Sequence, residues 1–333
     1  MAATDSPPFF SIIITTRNRP EMFLRALQSV SDQTFQSREI IVVVDGSDDV
    51  HWHAYEAIAR QQPGIRFLFV QHRPSGHGQS YSMNVGVHAA NGAYLCFLDD
   101  DDHWTSKVHL ENAAASIKAS EAPVDLYFTN QQAYFADDRR QTEKVWLEDL
   151  IGQVNPSMRH WGNSYFVDAP FLMNSSGFAH INCSIVSRQL YDSLGGMDES
   201  IRYENDRDFY IRAVDAASVI LYCTDCVSRH NIPDTSRREN MSTVGSDIEK
   251  KLYQVRVYDK NICGVRQKKI LDFCRRGKTY ELKHAARILA SKGQYGRARH
   301  YAGEALISGF NLRWLGYTCY LAFRSLWHGD AGR

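Results

Sequence analysis

Four apolar runs, each closed by polar or glycine-rich residues, divide the first hundred positions. Phe10 to Thr15, Glu39 to Val44, Arg66 to Gln71 and Tyr94 to Leu98 are short and rich in β-branched or aromatic residues, as buried strands are. After the Thr16–Pro20 loop, Phe23, Leu24, Leu27 and Val30 recur at helical spacing. Asp45-Gly46-Ser47-Asp48 breaks the second strand before a helix around Trp52 to Gln61, and Gly76 to Gly86 leads through a helix that ends near Ala90. Strands alternating with helices predict an α/β fold, a mainly parallel Rossmann-like sheet with helices on both faces.

Beyond residue 105 the pattern loosens. A strand is predicted at Leu126 to Thr129, and residues 137–180 read as a long polar and aromatic loop region of the kind that shapes sites. From about 250 helices take over, at Leu271 to Arg275, Leu282 to Lys292, Tyr295 to Ser308 and Asn311 to Trp327, giving a C-terminal helical appendage. Residues 282–305 resemble a single helical-hairpin repeat. The last helix mixes Trp314, Tyr317, Tyr320, Phe323 and Trp327 with Arg313 and Arg324, a composition suited either to a membrane interface or to docking on the core.

The fourth strand delivers Asp99, Asp100, Asp101 and Asp102 to its own C-terminal end. Adjacent carboxylates repel and raise one another's pKa unless a divalent cation or a basic group neutralises them. Ligands of open α/β sheets bind beyond the carboxyl ends of strands. The run therefore reads as an address for a hard cation, against the plainer alternative of an acidic turn in solvent. Arg17 and Arg19, just after the first strand, could hold a base or phosphates by charge-assisted hydrogen bonds, or could be surface charge.

Composition narrows the partners. Across 333 residues Lys plus Arg equals Asp plus Glu at 38 each, so no global charge argues for nucleic acid. The N-terminal residues lack a basic region followed by an apolar one, and no stretch of about 18 uncharged apolar residues could span a bilayer, which predicts a cytosolic chain. Seven scattered cysteines fit reduced thiols; Cys223 and Cys226 are a close pair, but Cys263, Cys274 and His230 supply no second pair for a structural zinc.

Thr15-Thr16-Arg17-Asn18-Arg19-Pro20, the segment from Glu39 to Asp49, Asn84-Val85-Gly86, and Gly92-Ala93-Tyr94 through to the aspartates and His103-Trp104 occur in order. Over about residues 9 to 240 this resembles the inverting GT-A nucleotide-sugar glycosyltransferases of family 2, of the bacterial polysaccharide type. The resemblance implies a GT-A domain over 1–245, with a donor half at about 9–104 and an acceptor half at about 105–245. Residues 246–333 would then be a helical region that associates with a membrane or a partner. It implies Mn²⁺ or Mg²⁺ held by Asp101, Asp99 and His230, and donor contacts from Thr15, Arg17, Arg19, Asp45, Asn84, Asp99 and Asp100. Gly195-Gly196-Met197-Asp198-Glu199 followed by Glu204-Asn205-Asp206-Arg207-Asp208 looks like the family's base motif. Asp206 falls at the catalytic position, and Glu204 is a second candidate because Asn205 replaces the usual acidic neighbour. An Arg-paired, exposed helix start is the bland alternative.

The same resemblance assigns Trp161, His180 and Asn182, with His160 and Tyr165 nearby, to the acceptor region, although aromatic residues there could equally be core. Arg237 and Arg238 could form a cationic lid or a solvated turn. Two departures stand out: Val44 occupies the place of an aspartate that contacts the nucleobase in relatives, and Met83 that of an arginine before the Asn-x-Gly motif. The implied reaction moves a hexosyl or deoxyhexosyl group from a UDP or dTDP sugar to a hydroxyl of a glycan or lipid-linked glycan. The implied setting is the cytoplasm, peripherally on the inner membrane. Two rivals remain open here, a catalytically inactive glycan- or nucleotide-binding module of the same fold and a dinucleotide-dependent oxidoreductase suggested by Gly76-His77-Gly78.

Overall fold

The computed structural model describes residues 7–233 and 245–328. The chain divides into two compact units, one formed by residues up to Arg202 together with Arg212–Ile232, the other by Tyr203–Ile211 and the chain from Pro233 onward.

The first unit is built on a ten-stranded sheet. Its parallel half comprises β1 (Phe10–Thr16), β2 (Arg38–Asp45), β3 (Arg66–Val70) and β4 (Tyr94–Asp99), in the order β3-β2-β1-β4. Strand β1 is buried along its whole length, as a strand covered on both faces must be, which accounts for its unbroken apolar run. Helices α1 (Pro20–Ser31), α2 (Asp49–Gln61) and α3 (Gln79–Ala89) make the crossovers. The predicted stripe of α1 is buried at Phe23, Ala26, Leu27 and Val30, whereas Leu24 faces solvent. Asp48 caps α2 by accepting the His51 N–H at 3.0 Å.

The second half of the sheet was only partly predicted. After β5 (His103–Trp104) and α4 (His109–Ala119) comes β6 (Leu126–Tyr134), nine residues long where only Leu126 to Thr129 read as strand. Within the expected 137–180 loop region lie a 3-10 turn at Glu148–Gln153, β7 (His160–Trp161), β8 (Ser164–Val167) and the short helix α5 (Ala169–Leu172). Strand β9 (Ser184–Ser187), helix α6 (Arg188–Ser193) and strand β10 (Ile220–Asn231) complete the unit. The order continues from β4 as β9-β6-β10-β8-β7, with β9 antiparallel to both of its neighbours. Strand β10 runs parallel to β6 with two bulges, one between Tyr222 and Cys226 and one between Cys226 and Ser228. Helix α7 (Asn205–Ala216) begins among residues grouped with the second unit and ends among those of the first.

The second unit is helical. Helix α8 (Asp247–Gly264), absent from the sequence reading, starts with a Ser246–Glu249 capping box. Helix α9 (Lys268–Ser291) is continuous where two pieces were predicted. Gly277, at the apparent break, lies where a Cβ would collide with the Tyr258 ring, so the glycine permits close helix packing and does not end the helix. Helices α10 (Tyr295–Ser308) and α11 (Leu312–His328) follow. Leu282, Ala286 and Leu289 of α9, Ala298, Ala302 and Ala305 of α10, and Trp314 and Leu321 of α11 form one buried cluster. One side of α11 thus docks on a core, as one of its two expected readings required.

Candidate active site

The carboxyl ends of β1, β2 and β4 bring Thr15, Asp45 and Asp99 to one edge of the sheet, with Thr15 and Asp99 in register. Asp45 accepts the backbone N–H groups of His77 at 2.8 Å and Gly78 at 3.0 Å, so it organises the glycine loop ahead of α3. Gly76 has φ +64°, and a Cβ there would lie 2.7 Å from an Asp45 oxygen, which restricts the position to glycine. Arg17 reaches across to donate to the Pro74 carbonyl at 2.6 Å.

The four aspartates divide by direction. Asp100 points inward, where it accepts the Thr16 hydroxyl at 2.7 Å and pairs with Arg19. Burial pushes the Asp100 carboxyl up to about 6, against the pull of Arg19. Arg19 also donates to Asp101 at 3.0 Å, so it neutralises the turn from within the protein. Asp102 is buried: Asn182 Nδ2 donates to Oδ2 at 2.6 Å, the Asn231 N–H donates to Oδ1 at 2.7 Å, and His230 Nδ1 lies 2.8 Å from Oδ2. Asp99 accepts from Gln79 Nε2 at 2.5 Å, and its own N–H donates to Asn182 Oδ1 at 2.9 Å.

Two overlapping sets of side chains could hold a cation. Ligand atoms of Asp99, Asp101 and Asp102 lie within 4.8 Å of one another, as do those of Asp102, His180 and His230. Carboxylate oxygens with imidazole nitrogens suit Mn²⁺, and the carboxylates suit Mg²⁺, so the donor set fits the implied metal. Burial opposes a charge on His230, but the Asp102 carboxylate outweighs it and pushes the imidazole up to about 9. Burial and the neighbouring His230 push His180 down to about 3, leaving it a neutral donor. Trp146 packs edge-on against both imidazole rings, with centroids 5.8 and 5.2 Å away.

Several predicted residues have other work in the structure. His180 and Asn182, expected at the acceptor, stand beside Asp99 and Asp102, whereas Trp161 sits on β7 at the far end of the sheet, 55% exposed. Tyr165 of β8 packs against His160, with ring centroids 5.3 Å apart. Asn84 uses its whole amide on protein: Nδ2 donates to the Met197 carbonyl and to Glu199, and Oδ1 accepts from Tyr191 and the Met197 N–H. Arg237 and Arg238 lie outside the described residues. Asp102, Gln79, Thr16 and Trp146 were missed as participants. Asp102 was visible in the aspartate run, but nothing in the local pattern told which members turn inward.

The base candidates belong to the second unit. Both Glu204 oxygens are engaged, one by Arg207 Nε at 2.5 Å and one by Gln254 Nε2 at 2.7 Å. Asp208 is held by Asn261 at 2.9 Å and Lys260 at 2.8 Å. Asp206, in the first turn of α7, accepts the Arg207 N–H at 2.8 Å. Burial, reinforced by the Glu204 charge, pushes its carboxyl up to about 7.

Known proteins place this arrangement. The fold is similar to that of S. aureus TarS 1-349 in complex with UDP-GlcNAc, at a TM-score of 0.64 and 16% identity over 96% of this chain and 88% of that one. It is also similar to the mannosyltransferase PcManGT from Pyrobaculum calidifontis in complex with GDP-Man and Mn2+, at a TM-score of 0.55 and 17% identity over 96% and 86% of the two chains. The fold is thus the α/β GT-A type with added C-terminal helices. The chain belongs to glycosyl transferase family 2, whose model matches residues 11–195. In sequence it is 29% identical over 223 residues to the uncharacterized glycosyltransferase YwdF of Bacillus subtilis, covering 65% of this chain and 74% of that protein.

Proposed function

We propose that the protein is a metal-dependent, inverting glycosyltransferase that moves a hexosyl or deoxyhexosyl group from a nucleoside-diphosphate sugar to a hydroxyl of a glycan or lipid-linked glycan. The observation that carries this reading is the convergence of Asp99, Asp101, Asp102, His180 and His230 at the carboxyl edge of β4. These residues would hold Mn²⁺ or Mg²⁺. A bound divalent ion offsets the charge that develops on a departing diphosphate.

The chain's own groups supply the rest. Thr15, Arg17 and Asp45 shape the sheet edge where the nucleotide would lie, and Arg19 steadies the aspartate turn. Asp206 serves as general base, taking the acceptor hydroxyl proton so that the oxygen can attack the anomeric carbon from the face opposite the diphosphate. A carboxyl pushed up to about 7 suits that task better than Glu204, whose oxygens are held by Arg207 and Gln254. A UDP or dTDP donor follows from the family's preference, and the UDP-GlcNAc complex of TarS is consistent with UDP.

Calorimetry with UDP, dTDP and GDP sugars, with and without Mn²⁺, tests the reading when joined to NMR of the product's anomeric centre. Mn²⁺-dependent binding of one donor, and an anomeric configuration opposite to the donor's, are expected. Metal-independent binding or a retained configuration would overturn it.

A further inference from the structure

The overall neutrality of the chain hides a strongly basic end. Residues 247–333 contain 18 Lys and Arg against seven Asp and Glu, a net charge of +11. Part of this excess gathers round one cavity of the helical unit. Where the start of α11 meets α9, a space of about 420 Å³ is lined by Lys283, Arg287, Asn311, Arg313, Trp314 and Tyr317.

The chemistry of this cavity is one-sided. Among the described residues, no carboxylate pairs with Lys283, Arg287 or Arg313, and none of the three donates a hydrogen bond to the protein. Lys283 and Arg287 stand 5.4 and 5.5 Å from the centre of the Trp314 ring, a contact that offsets lost hydration but leaves both charges in place. Asn311 spends Oδ1 on the Trp314 N–H at 3.1 Å, and Trp314 spends Nε1 on the Ala302 carbonyl at 3.0 Å. The lining side chains therefore offer two guanidinium forks, an ammonium and an amide N–H₂ as donors, against the Tyr317 hydroxyl as the main acceptor.

The arrangement works against the helices that carry it. Lys283 and Arg287 are like charges four residues apart on α9, and Arg313 lies in the first turn of α11, at the positive end of its dipole, where no acidic residue stands. A cavity that concentrates one sign of charge in this way is complementary to an anion. Three cations call for more than the single charge and two oxygens of a carboxylate, and a phosphate group supplies both. The volume is that of a small-molecule site, so an ester has room as well as the bare ion. The cavity lies on the side of α11 turned toward α9, around the buried Trp314, which suits a soluble ligand and not the surface of a bilayer.

We infer that this cavity is a binding site for a soluble phosphate ester, built from none of the residues assigned to the sugar donor or the cation. The inference does not depend on the identity of the donor, the metal or the base.

Calorimetric titration of the full chain with glucose 1-phosphate and with uridine monophosphate, in EDTA and at constant ionic strength, tests it. Saturable binding of one ester is expected, at least about tenfold tighter than acetate and weaker as salt is raised. A triple Lys283→Gln, Arg287→Gln, Arg313→Gln variant should lower that affinity at least about tenfold, and Arg313→Gln alone, which alters an exposed side chain, by about threefold or more. Circular dichroism checks that both remain folded. Arg17→Gln, at the sheet edge, should bind the ester as the wild type does. Tighter binding of the first probe assigns a sugar phosphate, and of the second a nucleotide. Affinity no better than for acetate, tightest binding of bare inorganic phosphate, unchanged affinity in the folded cavity variants, or loss of binding in Arg17→Gln would overturn the inference.

Discussion

His230 Nδ1 lies 2.8 Å from Asp102 Oδ2, tying β10 to the turn that follows β4. The Asp102 carboxylate is buried and also accepts from Asn182 and the Asn231 N–H, so it is a structural centre as well as a member of the cation cluster. Asp102→Ala strands His230 and should cost about 3–5 kcal/mol of stability, the usual result of removing one partner from a buried charge pair. Urea denaturation reads this, and an unchanged midpoint would show that Asp102 is not the anchor.

Asp101 should behave differently, because it is partly exposed and Arg19, with which it pairs, also keeps Asp100. Asp101→Ala is expected to lower Mn²⁺ affinity by at least about tenfold while the protein stays folded. Calorimetric titration of Mn²⁺ without nucleotide is the check, and wild-type affinity would remove Asp101 from the cation site.

The raised carboxyl of Asp206 sets a pH signature. Since a general base must be ionised, kcat/KM should climb through a midpoint near pH 7, and Asp206→Asn should lower turnover at least about a hundredfold. Linkage gives a second readout. Between about pH 4 and 7 the folded state binds this proton more tightly than the unfolded state, so Asp206 makes stability fall as pH rises across that window and level off above it. Asp206→Asn should therefore be more stable than wild type at pH 8 and flatter in its dependence. A Tm profile parallel to wild type would exclude the burial that the structure assigns.

Asn84 separates a structural role from donor binding. Asn84→Ala leaves the Met197 N–H and the Tyr191 hydroxyl without their acceptor, at about 1–3 kcal/mol for each group that stays buried. Stability should drop while nucleotide affinity is kept. Lost affinity in a fully folded variant would return Asn84 to the donor site.

The parallel half of the sheet was legible because β1, β2 and β4 are buried on both faces, which forces continuous β-branched runs that end abruptly in polar residues. Strand β10 was not, because its bulges and its Thr224, Asp225 and Arg229 break any simple period. Helix α8 escaped notice because it buries Gln254 and Asn261 and spends them on Glu204 and Asp208, so its inner face does not look apolar. At the site, the aspartate run announced cation chemistry, but its division into inward Asp100 and Asp102 and outward Asp101 depends on Thr16, Arg19, Asn182 and His230, drawn from distant segments. Gln79 follows the glycine loop with no local sign that its amide meets Asp99.

The two bulges of β10 also control phase. From Tyr222 to His230 the strand spends eight residues where β6 spends five, from Phe128 to Ala133. The surplus is odd, so it exchanges the faces to which side chains downstream of the bulges point. A one-residue deletion within 223–227 can be absorbed by narrowing a bulge, which leaves the ladder beyond it intact, with His230 still opposite Ala133 and on the same side of the sheet. Single-residue insertions and deletions in this short stretch should therefore be nearly silent for the cation site, whereas one at Arg229, where the ladder has no slack, would turn His230 to the opposite side of the sheet, so the bulges act as a length buffer just ahead of the ligand.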